Sequence, residues 1–160
     1  GFHGGGQLQQ LVSLVDLPPT LLDAAGLGVP PAMQGRSIMP LVRRQDVEWP
    51  DEVFMQISEA QVGRAVRTHR WKYCVDAPDR RPGQDPDADS YQEQYLYDLQ
   101  ADPYELRNLI GLESHAETAA VLRQRLQARM AEAGEKPAEI RVAPAAPAGQ
   151  RRVTAAESQA

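Results

Sequence analysis

The sequence predicts an α+β fold: a small antiparallel sheet of about four strands, covered on one face by a long C-terminal helix. Three patterns carry that prediction. Between 52 and 99, short runs of β-branched and aromatic residues recur, and the clearest alternates Trp71, Tyr73 and Val75 with Lys72 and Cys74. After Ser114, the residues Thr118, Leu122, Leu126 and Met130 return at every fourth position, the stripe of an amphipathic helix. Ahead of the sheet, the run Leu11–Val15 and the Asp-Leu-Pro-Pro that follows predict a separate strand and helix.

Taken in order, residues 1 to 6 are a glycine-rich lead-in. No GxGxxG pattern or phosphate-loop lysine follows, so a flexible surface turn is expected. Asp16 suits a helix N-cap, Pro18 and Pro19 are tolerated in the first turn, and Gly26 suits the stop after Ala25. Pro30, Pro31, Gly35, Pro40 and Pro50 make 27 to 51 an ordered connector without a regular element. The strand candidates are Val53–Ile57, Gly63–Thr68, Trp71–Val75 and Tyr95–Leu99. His69-Arg70 has the spacing of a tight hairpin turn, though neither residue favours positive φ. Residues 76 to 92, rich in Asp, Pro and Gly, read as a long exposed loop. Ser114 to Glu117 has capping-box spacing. The helix of ~20 residues that follows would span ~30 Å and end near Gly134. Residues 136 to 160 are Pro/Ala-rich and read as a mobile, disordered tail.

Composition excludes several classes. Lys and Arg number 17 against 22 Asp and Glu, a net charge of -5, which argues against a nucleic-acid or anionic-membrane binder. No apolar run approaches the ~20 residues of a membrane helix. The first residues have neither the basic flank nor the apolar core of a signal peptide, so the chain reads as soluble, with no compartment indicated. It starts on Gly rather than Met and is expected to begin inside a longer protein. A single cysteine, Cys74, allows no internal disulfide and no thiolate zinc cluster; its strand-like setting makes it a small buried apolar residue.

Candidate chemistry is sparse. Asp98, Asp102 and Glu105 could be taken for a carboxylate metal cluster. The better reading ends a strand at Asp98, starts a turn at Asp102-Pro103 and puts Glu105 in the first turn of a short helix. Arg64, Arg67, Arg70 and Lys72, with Trp71 and Tyr73, form the most basic and aromatic patch. A solvated hairpin is the leading reading and an anion-facing wall the second. His3, His69 and His115 lie on separate elements, His115 expected at the surface in the helix's first turn. Ser58 is outside any Gly-x-Ser-x-Gly elbow. No catalytic residue and no metal ligand is assigned.

Four motifs, in order, carry a resemblance. Leu11 to Gly26, reading LVSLVDLPPTLLDAAG, resembles the segment that sulfatases carry late in their large domain. Gln34-Gly35-Arg36-Ser37-Ile38-Met39-Pro40-Leu41 resembles the connector that follows it. Val66 to Tyr73, VRTHRWKY, is similar to the family's hairpin, and Tyr97 to Leu109, YDLQADPYELRNL, to its next signature. Singly each is weak; the ordered set is specific.

The resemblance implies an alkaline-phosphatase-like protein. Residues 1–42 would be the strand–helix remnant that ends its large α/β domain, 43–135 the C-terminal subdomain and 136–160 the tail. It implies a calcium (or other divalent metal) site and a formylglycine in the missing N-terminal part, and a sulfate ester, small-molecule or saccharide, as substrate. Cys74 is followed by Val75, Asp76, Ala77 and Pro78, so the formylglycine motif Cys-x-(Pro/Ala/Ser)-x-Arg is absent, and this stretch alone is expected to be inactive. Ser58, Glu59, Gln61 and Arg64 lie where the first sheet strand turns back, a region that in the family comes near the pocket mouth, and are the substrate-binding candidates. The alternatives are a phosphatase, phosphodiesterase or phosphonate monoester hydrolase of the same superfamily, and a non-catalytic binding or structural module.

Overall fold

The structure is a computed structural model that describes residues 5–146 and 153–159; His3 lies outside them. The chain divides into two units, 1–53 and 54–160.

The larger unit is built on the sheet. Its strands are β1 (Glu52–Ile57), β2 (Gly63–Thr68), β3 (Trp71–Asp76), β4 (Ser90–Asp98) and β5 (Glu139–Arg141), adjacent in that order. β2 with β3 and β3 with β4 are antiparallel, whereas β4 with β5 is parallel. The sheet is therefore mixed and five-stranded, not the antiparallel sheet of about four that was expected. The additional strand lies in the stretch read as tail, where a polar–apolar–polar triplet is too short to register as a pattern. Its Ile140 is buried in the core, and its pairing covers the edge that β4 would otherwise leave open.

β3 alternates as its sequence requires: Trp71, Tyr73 and Val75 are buried, and Lys72, Cys74 and Asp76 half-buried. β4 starts at Ser90, five residues before the expected Tyr95, and shortens the loop. A bulge hid it. Cys74 pairs with Tyr95 but Val75 with Glu93, so the buried positions change from Tyr91 and Glu93 to Leu96 and Asp98, and period-two alternation breaks. The β2–β3 turn does without positive φ at His69 or Arg70. The Thr68 hydroxyl instead accepts the N–H groups of Arg70 (3.2 Å) and Trp71 (2.9 Å).

The long helix, α3 (Ala116–Glu132), buries Thr118, Ala119, Leu122, Leu126 and Met130, the predicted stripe. Its N-cap is His115, not Ser114, and the capping box does not form. Ser114 sits in a 3-10 turn (Glu113–His115), with its hydroxyl 2.9 Å from His115 Nδ1 and its carbonyl accepting Val153 N at 2.6 Å. At the other end Gly134, at φ 80°, closes a Schellman motif in which Gly134 N donates to Ala131 O and Glu135 N to Met130 O, both at 3.0 Å.

The smaller unit holds α1 (Leu17–Ala24) and α2 (Met39–Val42), the latter a single turn inside the expected connector. Gly26, at φ 74°, ends α1 as predicted. Leu11–Val15 is not a strand: Leu14–Asp16 is a 3-10 turn leading into α1. Among the described residues no strand pairs with this run, and an unpaired strand would leave its backbone groups unsatisfied.

Asp16 is the N-cap residue of α1, but its carboxylate goes elsewhere, accepting Ser13 N and Arg36 N, each at 2.8 Å. Thr20 Oγ1 accepts Ile38 N at 3.0 Å, and Asp23 accepts the Ser37 hydroxyl at 2.6 Å. The motif around Gly35-Arg36-Ser37 is thus stitched to α1 by side chains. Gly35 is required by contact: a Cβ there would lie 1.8 Å from Val15 O.

Candidate functional site

The turn after β1 and the loop before β4 border a cleft of about 440 Å³. Gln56, Ser58 and Glu59 form one side, Pro86 and Asp87 a second, Glu135 a third, and Arg64 lies at the base. Three of the four sequence candidates, Ser58, Glu59 and Arg64, are therefore brought together, while Gln61 is exposed in the turn and does not line the cleft. The loops are tied directly, Gly83 N donating to Ser58 O at 2.7 Å.

Arg64 is only 4% exposed. Its Nε donates to Glu135 Oε1 at 2.7 Å, Nη1 to Gly63 O at 2.8 Å and Ile57 O at 3.5 Å, and Nη2 to Pro86 O at 3.0 Å. The guanidinium also lies over the Tyr91 ring, 5.5 Å from its centroid. Gln56 Nε2 donates to the same Glu135 oxygen. Sequence reasoning missed Glu135 and Asp87. Glu135 had a local signal, since a residue directly after a helix-stopping glycine is turned back onto the helix end.

Two further cations of the patch, Arg70 and Lys72, are neutralised at close range, while Arg67 is the exposed residue of β2. Arg70 forks onto Asp98 at 2.9 Å and stacks over Trp71, while Lys72 pairs with Glu105 at 2.7 Å. Asp98 also accepts Gln100 N and Ala101 N, and Asp102 accepts Arg107 N at 2.7 Å, the turn chemistry that the sequence suggested. Glu105 is not helical; it sits at φ 56° in an irregular loop, where its carboxylate reaches Lys72. Burial tends to raise the Asp98 carboxyl, but the Arg70 hydrogen bonds and the two backbone donors outweigh it, and the net shift is downward. Among the described residues no group of three His, Cys, Asp or Glu could hold a metal ion.

His115 is buried, 8% exposed, contrary to its expected surface position. It meets Trp71 edge-on at 6.1 Å, and burial lowers its pKa, aided by Arg107 and Arg70 against the pull of Asp98. Glu93, also buried, accepts the Tyr73 hydroxyl (3.0 Å), Arg123 (2.9 Å) and Ala143 N (2.9 Å), joining sheet, helix and the residues after β5. Burial pushes the Cys74 thiol up to about 11, which leaves it a poor nucleophile at neutral pH.

The model of the family N-sulphoglucosamine sulphohydrolase, C-terminal, matches residues 1–132. The chain belongs to this sulfatase family. It is 32% identical to mouse arylsulfatase K over 119 residues, 68% of this chain and 20% of that protein. It is 29% identical to an N-acetylglucosamine-6-O-sulfatase of Bacteroides thetaiotaomicron over 117 residues, 71% of this chain and 20% of that one. The chain thus spans about a fifth of the length of these relatives.

Among solved structures, one protein in complex with its substrate, D-glucosamine-2-N,6-O-disulfate, superposes with a TM-score of 0.59 at 25% identity, over 73% of this chain and 23% of that one. A phosphonate monoester hydrolase from Silicibacter pomeroyi superposes at 0.55 and 25% identity, over 73% of this chain and 24% of that one. The resemblance carried by the four motifs is confirmed, and so is the α+β class, with the fifth strand added. Within the sulfatase segment, the connector glycine keeps the chain against Val15, and the hairpin's Thr68, Arg70 and Lys72 serve the turn and ion pairs described above.

Proposed function

We propose that these residues are the C-terminal part of a hydrolase that cleaves sulfate esters of saccharides. The observation that carries this reading is the family match across residues 1–132. The saccharide class is supported by the N-acetylglucosamine-6-O-sulfatase among the relatives and by the structural neighbour that holds a disulfated glucosamine. In this reading, residues 1–42 end the large catalytic domain and 43–135 form the subdomain beside it. Of the sequence candidates, Ser58 and Glu59, which line the cleft, meet the leaving alcohol portion of the substrate.

Sulfate-ester hydrolysis needs a nucleophile, a hard cation with oxygen ligands and a proton donor for the alcohol. The residues present do not fit the first two. Cys74 lacks the downstream arginine of a formylglycine site and its thiol is held protonated. The carboxylates at 98, 102 and 105 are each engaged separately, by Arg70, by Arg107 N and by Lys72. The formylglycine and the calcium (or other divalent metal) expected of the family therefore belong, in this proposal, to the remainder of the enzyme.

Purified chain, assayed with an aryl sulfate and added calcium, is expected to show no turnover above buffer. Turnover that survives Cys74→Ala would overturn the assignment. The reading frame ahead of residue 1 gives the complementary test: Cys-x-Pro-x-Arg supports the sulfatase. Thr or Ser in the nucleophile's place would favour the phosphonate or phosphate esterase reading, which the Silicibacter neighbour keeps in play.

A further inference from the structure

In the sequence, Arg64 is a substrate-binding candidate and belongs to a basic patch for which an anion-facing wall is the second reading. Its surroundings give it another task. The carboxylate of Glu135 and the carbonyls of Gly63, Ile57 and Pro86 take up Nε–H, both Nη1 donors and one of the Nη2 donors. These acceptors come from three separate places: the ends of β1 and β2 that flank their turn, the loop before β4, and Glu135 just past the helix-ending Gly134. The Schellman turn at Gly134 is what delivers Glu135 to the guanidinium. With Arg64 neutralised by Glu135, the charges left on the cleft are the carboxylates of Glu59 and Asp87, and their field opposes a bound anion.

We propose that Arg64 is a positioning residue: braced by Glu135, it fixes the two loops that flank the cleft and binds no sulfate itself. The role in catalysis rests on the sulfatase reading above; the bracing does not. A lysine cannot replace it, because a single ammonium lacks the planar fork that reaches three directions at once.

Hydrogen exchange on the full 160-residue chain is the first test. Arg64→Lys should speed exchange by about tenfold in 58–63 and 84–88 while leaving 71–75 unchanged, and Glu135→Gln should give a weaker version of the same map. An equal rise across β3 would overturn the proposal, since Arg64 would then be one core contact among many. Titration with inorganic sulfate should leave the Gly63 and Arg64 amide resonances unmoved; a saturable shift there would make Arg64 an anion ligand. In the longer enzyme that carries this segment, Arg64→Lys should raise KM for the ester several-fold with kcat held, whereas a fall in kcat at constant KM would also overturn the role. Absence of turnover in the unsubstituted longer enzyme would sink the sulfatase reading and leave the exchange and sulfate results to decide the bracing.

Discussion

The two units are held together by different physics. In the sheet unit, Trp71, Tyr73, Tyr91, Leu96, Leu122 and Leu126 are wholly buried; the Tyr73 and Tyr91 hydroxyls are paired, and Trp71 Nε1 is buried without a hydrogen-bond partner among the described residues. In the unit that precedes it, Leu14 is 82% exposed and Leu21 70%, with Leu27 and Val15 also open, while Pro19, Met39 and Leu41 are the described apolar residues that are buried. What orders that unit is polar: Asp16, Thr20 and Asp23 on or beside α1 hold the backbone and side chains of 36 to 38. The sheet is a domain core in the usual sense, and the leading unit is a set of hydrogen-bonded turns with its apolar side unused. That contrast is what a piece of a larger α/β domain joined to a complete subdomain would show.

The largest effect is expected in the sheet. Trp71→Ala removes a fully buried ring that packs against His115 and beneath Arg70, and should cost about 3–5 kcal/mol. Urea unfolding followed by circular dichroism would measure it, with Trp71→Phe as the milder control. A loss below ~1 kcal/mol would show that the sheet lacks the single core that the comparison assigns to it.

Gly35→Ala asks the matching question of the leading unit. A Cβ 1.8 Å from the Val15 carbonyl forces the connector off α1, and with it the Arg36 and Ile38 hydrogen bonds. Overpacking of this kind costs about 1–3 kcal/mol. Faster exchange should appear at 17–24 and at 36–42 and stop short of 71–75. Spread into the sheet would mean that the units unfold together.

The contrast also explains what could be read from the sequence. β3 and α3 were legible because burial on one face enforces a period, and Trp71, Tyr73, Leu122 and Leu126 obey it. The start of β4 was not, because a bulge at Cys74/Val75 reverses which residues face inward and because Glu93 is buried only through three partners distant in sequence. β5 rests on one anchor, Ile140, and no periodicity exists in a triplet. Leu11–Val15 misled for a related reason: an apolar run looks the same whether its partner is a sheet or nothing within the unit. At the cleft, Ser58, Glu59 and Arg64 are candidates because a strand turns back there and the family resemblance puts that region near a pocket mouth; the structure shows that the three share one lining. The role of Arg64 depends on Pro86 and Glu135, which no local pattern links to it.

The smallest effect should come from the exposed face of α1. A side chain that is already 70% in water has little burial to lose, so Leu21→Ser should change the stability of the isolated chain by less than ~0.5 kcal/mol. If the leading unit is a remnant, the same substitution must cost more once the rest of the large domain is present. Burying a leucine side chain is worth roughly 1.5–3 kcal/mol, and that contribution would vanish. The pair of measurements therefore isolates the surface that awaits a partner. Exchange on the unsubstituted chain adds the reference point, with protection at 17–24 expected to fall well below that at 71–75. Equal protection in the two segments, or a Leu21→Ser penalty as large in the isolated chain as in the longer enzyme, would show that α1 is already fully housed. The leading unit would then stand as a domain in its own right, and the non-catalytic module would become the better account of the chain.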